Sequence, residues 1–277
     1  MAPGAAPEPF PAPELETLTL TSAADGIVLL TINRPDRLNT MTVQMFTDLT
    51  RATRALRDSG VRALILIGAG ERSFCAGFDL SEIEVITRMG VREFLRFSER
   101  ATGSLAALRA LPFPVIAAVH GAASGGGMSL ALAADIRLAD PAAKFNAAFV
   151  RVGLSAGELG TSWLLSRLIG PGRAAEMMFT ARNVGAAEAA RIGLVNQVIA
   201  APDLLDGAIA MARQVIANSP AGVRMSKRAL QRNLEVASYR AALELENRGQ
   251  ALLTRGEDMP EALAAFTQHR APVFTGR

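Results

Sequence analysis

Short runs of β-branched and aliphatic residues alternate along this chain with longer segments whose apolar residues keep helical spacing. Ile27–Ile32 is a β-branched run that ends at Asn33-Arg34-Pro35, a strand giving way to a loop. Thr42 stands where a hydroxyl caps a helix. Phe46, Leu49, Thr53 and Leu56 follow on one face, which predicts a helix to about Arg57. Residues 63–67 and 115–119 are continuous apolar runs, the pattern of strands buried on both faces. Between them Val91, Phe94, Leu95, Leu105 and Leu108 return to helical spacing. Gly125-Gly126-Gly127 then opens a helix to about Ala134, and residues 136–138 read as a further strand.

Beyond Gly160 the pattern is almost wholly helical, with segments at 163–168, 173–179, 187–192, 205–217, 224–234, 241–252 and 261–268. Strands and helices alternate first and helices gather afterwards. That order predicts an α/β core of repeated strand–helix units over residues 14–200 and a helical C-terminal region over 201–277. Residues 1–13 are rich in Ala and Pro and are expected to form a flexible tail.

Composition narrows the class. Half of the 277 residues are hydrophobic and a fifth are charged, which describes a globular protein with a sizeable core. The net charge is only +3, and all basic residues except Lys144 and Lys227 are arginine. The arginines are scattered among acids, as at Glu244 and Arg248, with no basic stripe interleaved with aromatics, so nucleic acid is not an expected partner. Cys75 is the single cysteine, which removes disulfides and CxxC metal sites and suits the cytoplasm. The N-terminus lacks the basic-then-apolar pattern of a signal peptide. Residues 115–134 carry no Asp, Glu, Lys or Arg and so resemble a membrane span. The three glycines would break such a helix in mid-bilayer, and a buried strand, a turn and a buried helix fit the same residues better.

Candidate chemistry lies at two glycine-containing turns, Ser73–Leu80 and His120–Gly127. Glycine directly before a helix lets backbone N–H groups point outward where the helix dipole adds positive potential. Two such donors converging on one oxygen form an oxyanion hole. Cys75 and His120 read as packed structural residues, and Ser124 lacks the surroundings of a nucleophile elbow.

The order and spacing of several segments resemble the enoyl-CoA hydratase/isomerase (crotonase) family. They are Asn33-Arg34-Pro35…Leu38-Asn39, then Phe74-x-Ala76-Gly77-x-Asp79-Leu80, then Val119-x-Gly121-x-Ala123-x-Gly125-Gly126-Gly127. Gly160-Thr161…Leu168-Ile169-Gly170, Ala189-x-x-x-Gly193-Leu194-Val195 and Ser226-Lys227 continue the likeness. The resemblance implies a spiral of ββα units with a helical C-terminal trimerisation region, assembled as a homotrimer or homohexamer. It implies an acyl- or enoyl-CoA substrate, with coenzyme A as part of the substrate and neither metal nor further cofactor. The oxyanion donors would be the N–H groups of Phe78 and Gly126. Arg34, Leu38, Ala76, Asp79 and Leu80 would lie along the coenzyme A, and Phe266 would reach the coenzyme A of a neighbouring subunit.

The departures from the family pattern carry as much information. Family hydratases position water with two glutamates, and alignment on the glycines and on Lys144-Phe145…Gly153 puts Ser129 and Phe149 at those places, facing the acyl pocket. Neither can share acid–base duty across a water. Glu158, in Gly157-Glu158-Leu159-Gly160-Thr161, occupies a place where some isomerases of the family carry a catalytic carboxylate. It is also placed to compensate a helix dipole. The expected activity is therefore proton transfer of the isomerase type. The alternatives are an acyl-CoA-binding protein without catalysis and, more remotely, a Clp-type serine peptidase.

Overall fold

The computed structural model describes residues 13–277, and the N-terminal tail expected over 1–13 lies outside them except for Pro13. The chain opens with strands β1 (Leu18–Ala24) and β2 (Ile27–Ile32) and helix α1 (Val43–Arg57). The hydroxyl of Thr42 accepts the N–H of Met45 and caps α1, as the sequence predicts. Strands β3 (Ala63–Gly68) and β4 (Ser73–Cys75) lead through a short helix α2 (Ile83–Thr87) to α3 (Val91–Arg109). The same plan recurs in β5 (Val115–Val119), β6 (Ala122–Ser124) and α4 (Gly126–Ala133). It recurs again in β7 (Ile136–Ala139), β8 (Lys144–Asn146) and α5 (Thr161–Ile169).

Within each of these units the first strand joins one sheet and the second joins another. The larger sheet also takes β10 (Gln197–Val198) and has the order β1-β2-β3-β5-β7-β10, with every pair parallel except β1 and β2. The smaller sheet takes β9 (Val184–Gly185) and has the order β4-β6-β8-β9. This is the spiral of ββα units that the resemblance implies. The two- and three-residue strands of the smaller sheet are too short to show a period in the sequence.

Alternation along β3 and β5 supplies both faces of the larger sheet. Leu64, Leu66, Val115, Ala117 and Val119 face the main core with α1, α3 and α4. Ala63, Ile65, Ile116 and Ala118 face a second core closed by Leu204, Ala208 and Ala212 of α8 (Leu204–Ile216). Helices α6 (Pro171–Thr180) and α7 (Ala186–Arg191) lie between α5 and β10 in the chain. Small residues on α8, Ala208 and Ala212, let this helix lie close against the sheet. The helices beyond it are α9 (Pro220–Asn233), α10 (Tyr239–Leu253) and α11 (Asp258–Thr267). Lys227 ties α9 to the core, its buried ammonium donating to Phe113 O at 2.8 Å and pairing with Asp135 at 2.7 Å. No helix among the described residues is long and apolar enough to cross a membrane; the 115–134 stretch is β5, β6 and α4.

Candidate active site

The two glycine turns leave parallel neighbours, β4 and β6, and therefore emerge side by side. In the first turn Met41 clamps the chain from below. Its N–H donates to Gly77 O at 2.7 Å, and its carbonyl accepts the Asp79 N–H at 2.8 Å. A parallel bridge of this form turns the amide of the intervening residue, Phe78, to the other side. Among the described residues that N–H has no protein acceptor.

In the second turn Gly125 takes φ 50° and ψ −117°, a combination that a side chain would oppose, and its N–H donates to Asn146 O at 2.9 Å. Gly126 is the first residue of α4, so its N–H lies at the start of the helix, where no intrahelical acceptor exists. It too has no acceptor among the described residues. Gly127 fixes the turn against β4, because a Cβ there would stand 2.0 Å from Cys75 O. The structure therefore sets two unpaired amides on adjacent turns, one at a helix N-terminus, where negative charge is stabilised.

Arg34, Leu38, Ala76 and Asp79 come together beside the first turn. The buried carboxylate of Asp79 accepts from Arg34 at 2.9 Å, Arg37 at 3.2 Å and Thr40 at 3.1 Å, and from the Ser81 N–H and hydroxyl. Burial would raise its pKa, but the bonds from Ser81, Arg34 and Arg37 outweigh that and hold it well below the usual carboxylate range. Asp79 thus orients the two guanidinium groups and presents no free charge. Leu38 has a left-handed backbone at φ 51°, and its carbonyl accepts the Ala76 N–H at 3.1 Å. Leu80 projects outward from this cluster, 65% exposed. Phe266 does not join it and stands on α11, 82% exposed.

Phe149 and Glu158 lie on the segment between β8 and α5. The tip of the buried Phe149 ring is 4.0 Å from where a Cβ on Gly125 would stand, so the ring borders the second turn. Leu159 reaches the same place, its Cδ1 3.4 Å from a Cβ on Gly126. Leu159 adopts φ 50°, a conformation that costs a leucine about 1–2 kcal/mol. Glu158 is half-buried and outside α5, whose N-cap is Gly160 with no side-chain capping bond. Burial raises its pKa above the ordinary value, opposed in part by the Leu159 N–H. Ser129 is fully buried within α4, its hydroxyl engaged by Gly125 O and by Thr161.

Sequence reasoning missed Met41, Arg37, Leu159 and Thr161. Met41 acts through backbone geometry, which composition does not reveal, whereas Arg37, Leu159 and Thr161 lie within the motif segments and were within reach. Among the described residues no three His, Cys, Asp or Glu side chains gather as metal ligands.

Two unpaired amides on adjacent turns suit a carbonyl substrate whose oxygen gains charge, and comparison with known proteins gives that arrangement a family. A family model described as "Enoyl-CoA hydratase/isomerase" matches residues 22–277. A protein of Mycobacterium bovis named "Probable enoyl-CoA hydratase" is 43% identical, covering 90% of this chain and 89% of its own. The 1,2-epoxyphenylacetyl-CoA isomerase of Escherichia coli is 36% identical, covering 93% of this chain and 98% of its own. The crystal structure of an enoyl-CoA hydratase from Bacillus anthracis superposes with a TM-score of 0.89 at 31% identity, covering 95% of this chain and all of that one. This chain belongs to the enoyl-CoA hydratase/isomerase family.

Proposed function

We propose that the chain binds an acyl- or enoyl-CoA with the thioester oxygen between the amides of Phe78 and Gly126, and that Glu158 moves a proton on the acyl chain. The observation that carries this reading is the pair of adjacent amides without a protein acceptor. Such preorganised donors stabilise the oxyanion that develops when a thioester loses an α-proton, and together they supply several kcal/mol of barrier reduction. Glu158 supplies the base. Its raised pKa moves it toward the range in which a carboxylate exchanges protons near neutral pH.

The acyl pocket bears Phe149 where a water-activating glutamate would stand, and the hydroxyl of Ser129 is tied up in buried hydrogen bonds. This favours double-bond isomerisation over hydration. Arg34, Leu38, Ala76, Asp79 and Leu80 hold the coenzyme A, which enters as part of the substrate, and no further cofactor takes part. The ultraviolet absorbance of the conjugated thioester separates the two reactions, since isomerisation of a 3-enoyl-CoA raises it and hydration of crotonyl-CoA removes it. Hydration is expected to be very slow. A hydration rate within about tenfold of an efficient hydratase, a barrier difference of under about 1.4 kcal/mol, would sink the isomerase reading. Absence of turnover with any enoyl-CoA would leave an acyl-CoA-binding protein.

The exposed apolar side chains of Leu230, Tyr239, Leu252 and Leu263 on α9–α11 support assembly as a homotrimer or homohexamer. Phe266, exposed on α11, would then reach the coenzyme A of a neighbouring subunit. Light scattering at micromolar concentration is expected to give three or six copies, and a monomer would contradict this assembly. A cytoplasmic location fits the single buried Cys75.

A further inference from the structure

We infer that Ser129 and Thr161 are positioning residues that polarise and aim the Gly126 amide through a chain of hydrogen bonds. Both residues are fully buried, and their hydroxyl oxygens lie 2.6 Å apart. Ser129 Oγ donates to Gly125 O at 3.2 Å, and the same carbonyl accepts the Ser129 N–H at 3.0 Å. A hydroxyl has one proton to give. With the Ser129 proton directed at Gly125, the proton between the two hydroxyls comes from Thr161. The bonds therefore run one way, from Thr161 O–H to Ser129 Oγ and from Ser129 O–H to the Gly125 carbonyl.

The carbonyl of Gly125 and the N–H of Gly126 belong to one planar peptide unit. Electron density drawn toward that oxygen leaves the N–H a stronger donor, and successive hydrogen bonds in a low-dielectric interior reinforce one another. The amide strengthened in this way is the one assigned above to the thioester oxygen, and the inference rests on that assignment. Thr161 also ties the other half of the site to this chain, since its N–H donates to Glu158 O at 2.9 Å. One pair of hydroxyls thus joins the peptide that holds the oxyanion to the turn that carries the acid.

Packing alone does not call for this pair. Every other side chain of α4 is apolar or absent, and Ser129 stands alone as a polar group in a wholly buried helix. A serine inside a helix often bonds back to the carbonyl four residues earlier. Here a second helix adds a donor to that serine, at the residue that holds the acid's turn. Two apolar groups of similar shape would fill the space with nearly equal stability.

The test uses the full chain and a saturated acyl-CoA labelled with carbon-13 at the thioester carbonyl, read by isotope-edited infrared spectroscopy. The unsubstituted protein is expected to lower the carbonyl stretch relative to free ligand. Ser129→Ala and Thr161→Val should each return it part of the way. Each should also lower kcat by about tenfold, a fraction of the loss from deleting an oxyanion donor, with KM little changed. The double variant should be no worse than Ser129→Ala, because without the serine the Thr161 hydroxyl has no route to the Gly125 carbonyl. Thr161→Ser, which keeps the hydroxyl, should restore the shift. A lowered stretch that is indifferent to both folded variants overturns this inference alone. A stretch that the unsubstituted protein does not lower overturns the oxyanion assignment as well. Should Ser129→Ala fail to fold, Thr161→Val and Thr161→Ser still decide the matter.

Discussion

Glu158→Gln lowers kcat by two or more orders of magnitude and leaves the affinity for a CoA thioester nearly unchanged. The amide keeps the size of the carboxylate and cannot accept a proton, and losing a general base typically costs that much. The pH profile carries the same information. The carboxylate must be ionised to act, so kcat/KM should rise with pH through a pKa above the ordinary 4.5, and this limb should vanish in the variant. Stability moves in the opposite sense. A carboxyl whose folded pKa is raised by burial binds more protons folded than unfolded between the ordinary and the raised value. The fold therefore loses stability as pH rises through that window, and the glutamine variant escapes the loss. Thermal melts at pH 7 should show the variant no less stable than the parent. Persisting turnover together with a lowered melting temperature would show that Glu158 is structural and the base lies elsewhere.

Gly126→Pro is expected to abolish measurable turnover while weak binding of the coenzyme A portion remains. Proline is accommodated at the first position of a helix, where its missing N–H breaks no intrahelical bond. Here the missing N–H is the proposed oxyanion donor, and removing such a donor alone typically costs about 100- to 1000-fold in kcat. Crowding adds to the effect, because a Cβ at this position would stand 2.8 Å from Met41 Sδ and 3.4 Å from Leu159 Cδ1. Gly126→Ala separates the two contributions, since it introduces the Cβ and keeps the donor. Turnover by the alanine variant should exceed that of the proline variant. Equal activity in a folded proline variant and the parent would remove Gly126 from the site.

Long elements were legible wherever the pattern of burial had room to repeat. Thr42 and the face from Phe46 to Leu56 announced α1, and the unbroken apolar runs at 63–67 and 115–119 announced strands buried on both sides. Helix starts were read late at Pro171 and Pro220, because proline taken as punctuation is in fact the first helical residue there. β1 alternates buried Leu18 and Leu20 with more exposed residues, but only over two repeats. Of the site, the glycines marked the two turns, because glycine is the visible mark of a chain passing close to another, and the resemblance to the family singled out Phe78 and Gly126 within them. Asp79 was legible as a residue but not as an ion-pair partner. Its partners Arg34 and Arg37 lie more than forty residues earlier, and only the fold brings them within 3.2 Å.

The close passage of Gly127 over Cys75 has a consequence for chemistry unrelated to thioesters. The thiol is wholly buried beneath that glycine, and burial pushes its pKa up to about 12, against smaller opposing effects of Gly77 and Arg34. Thiolates, not thiols, attack alkylating reagents and disulfides, so Cys75 in the closed chain is both unreachable and un-ionised. It becomes reactive only when β4 and the start of α4 part. That parting would also pull the amides of Phe78 and Gly126 away from each other. As the chain has a single cysteine, its labelling rate carries no background from other thiols. Cys75 is thus a built-in clock for the opening of the two turns, and a ligand bridging them would slow it.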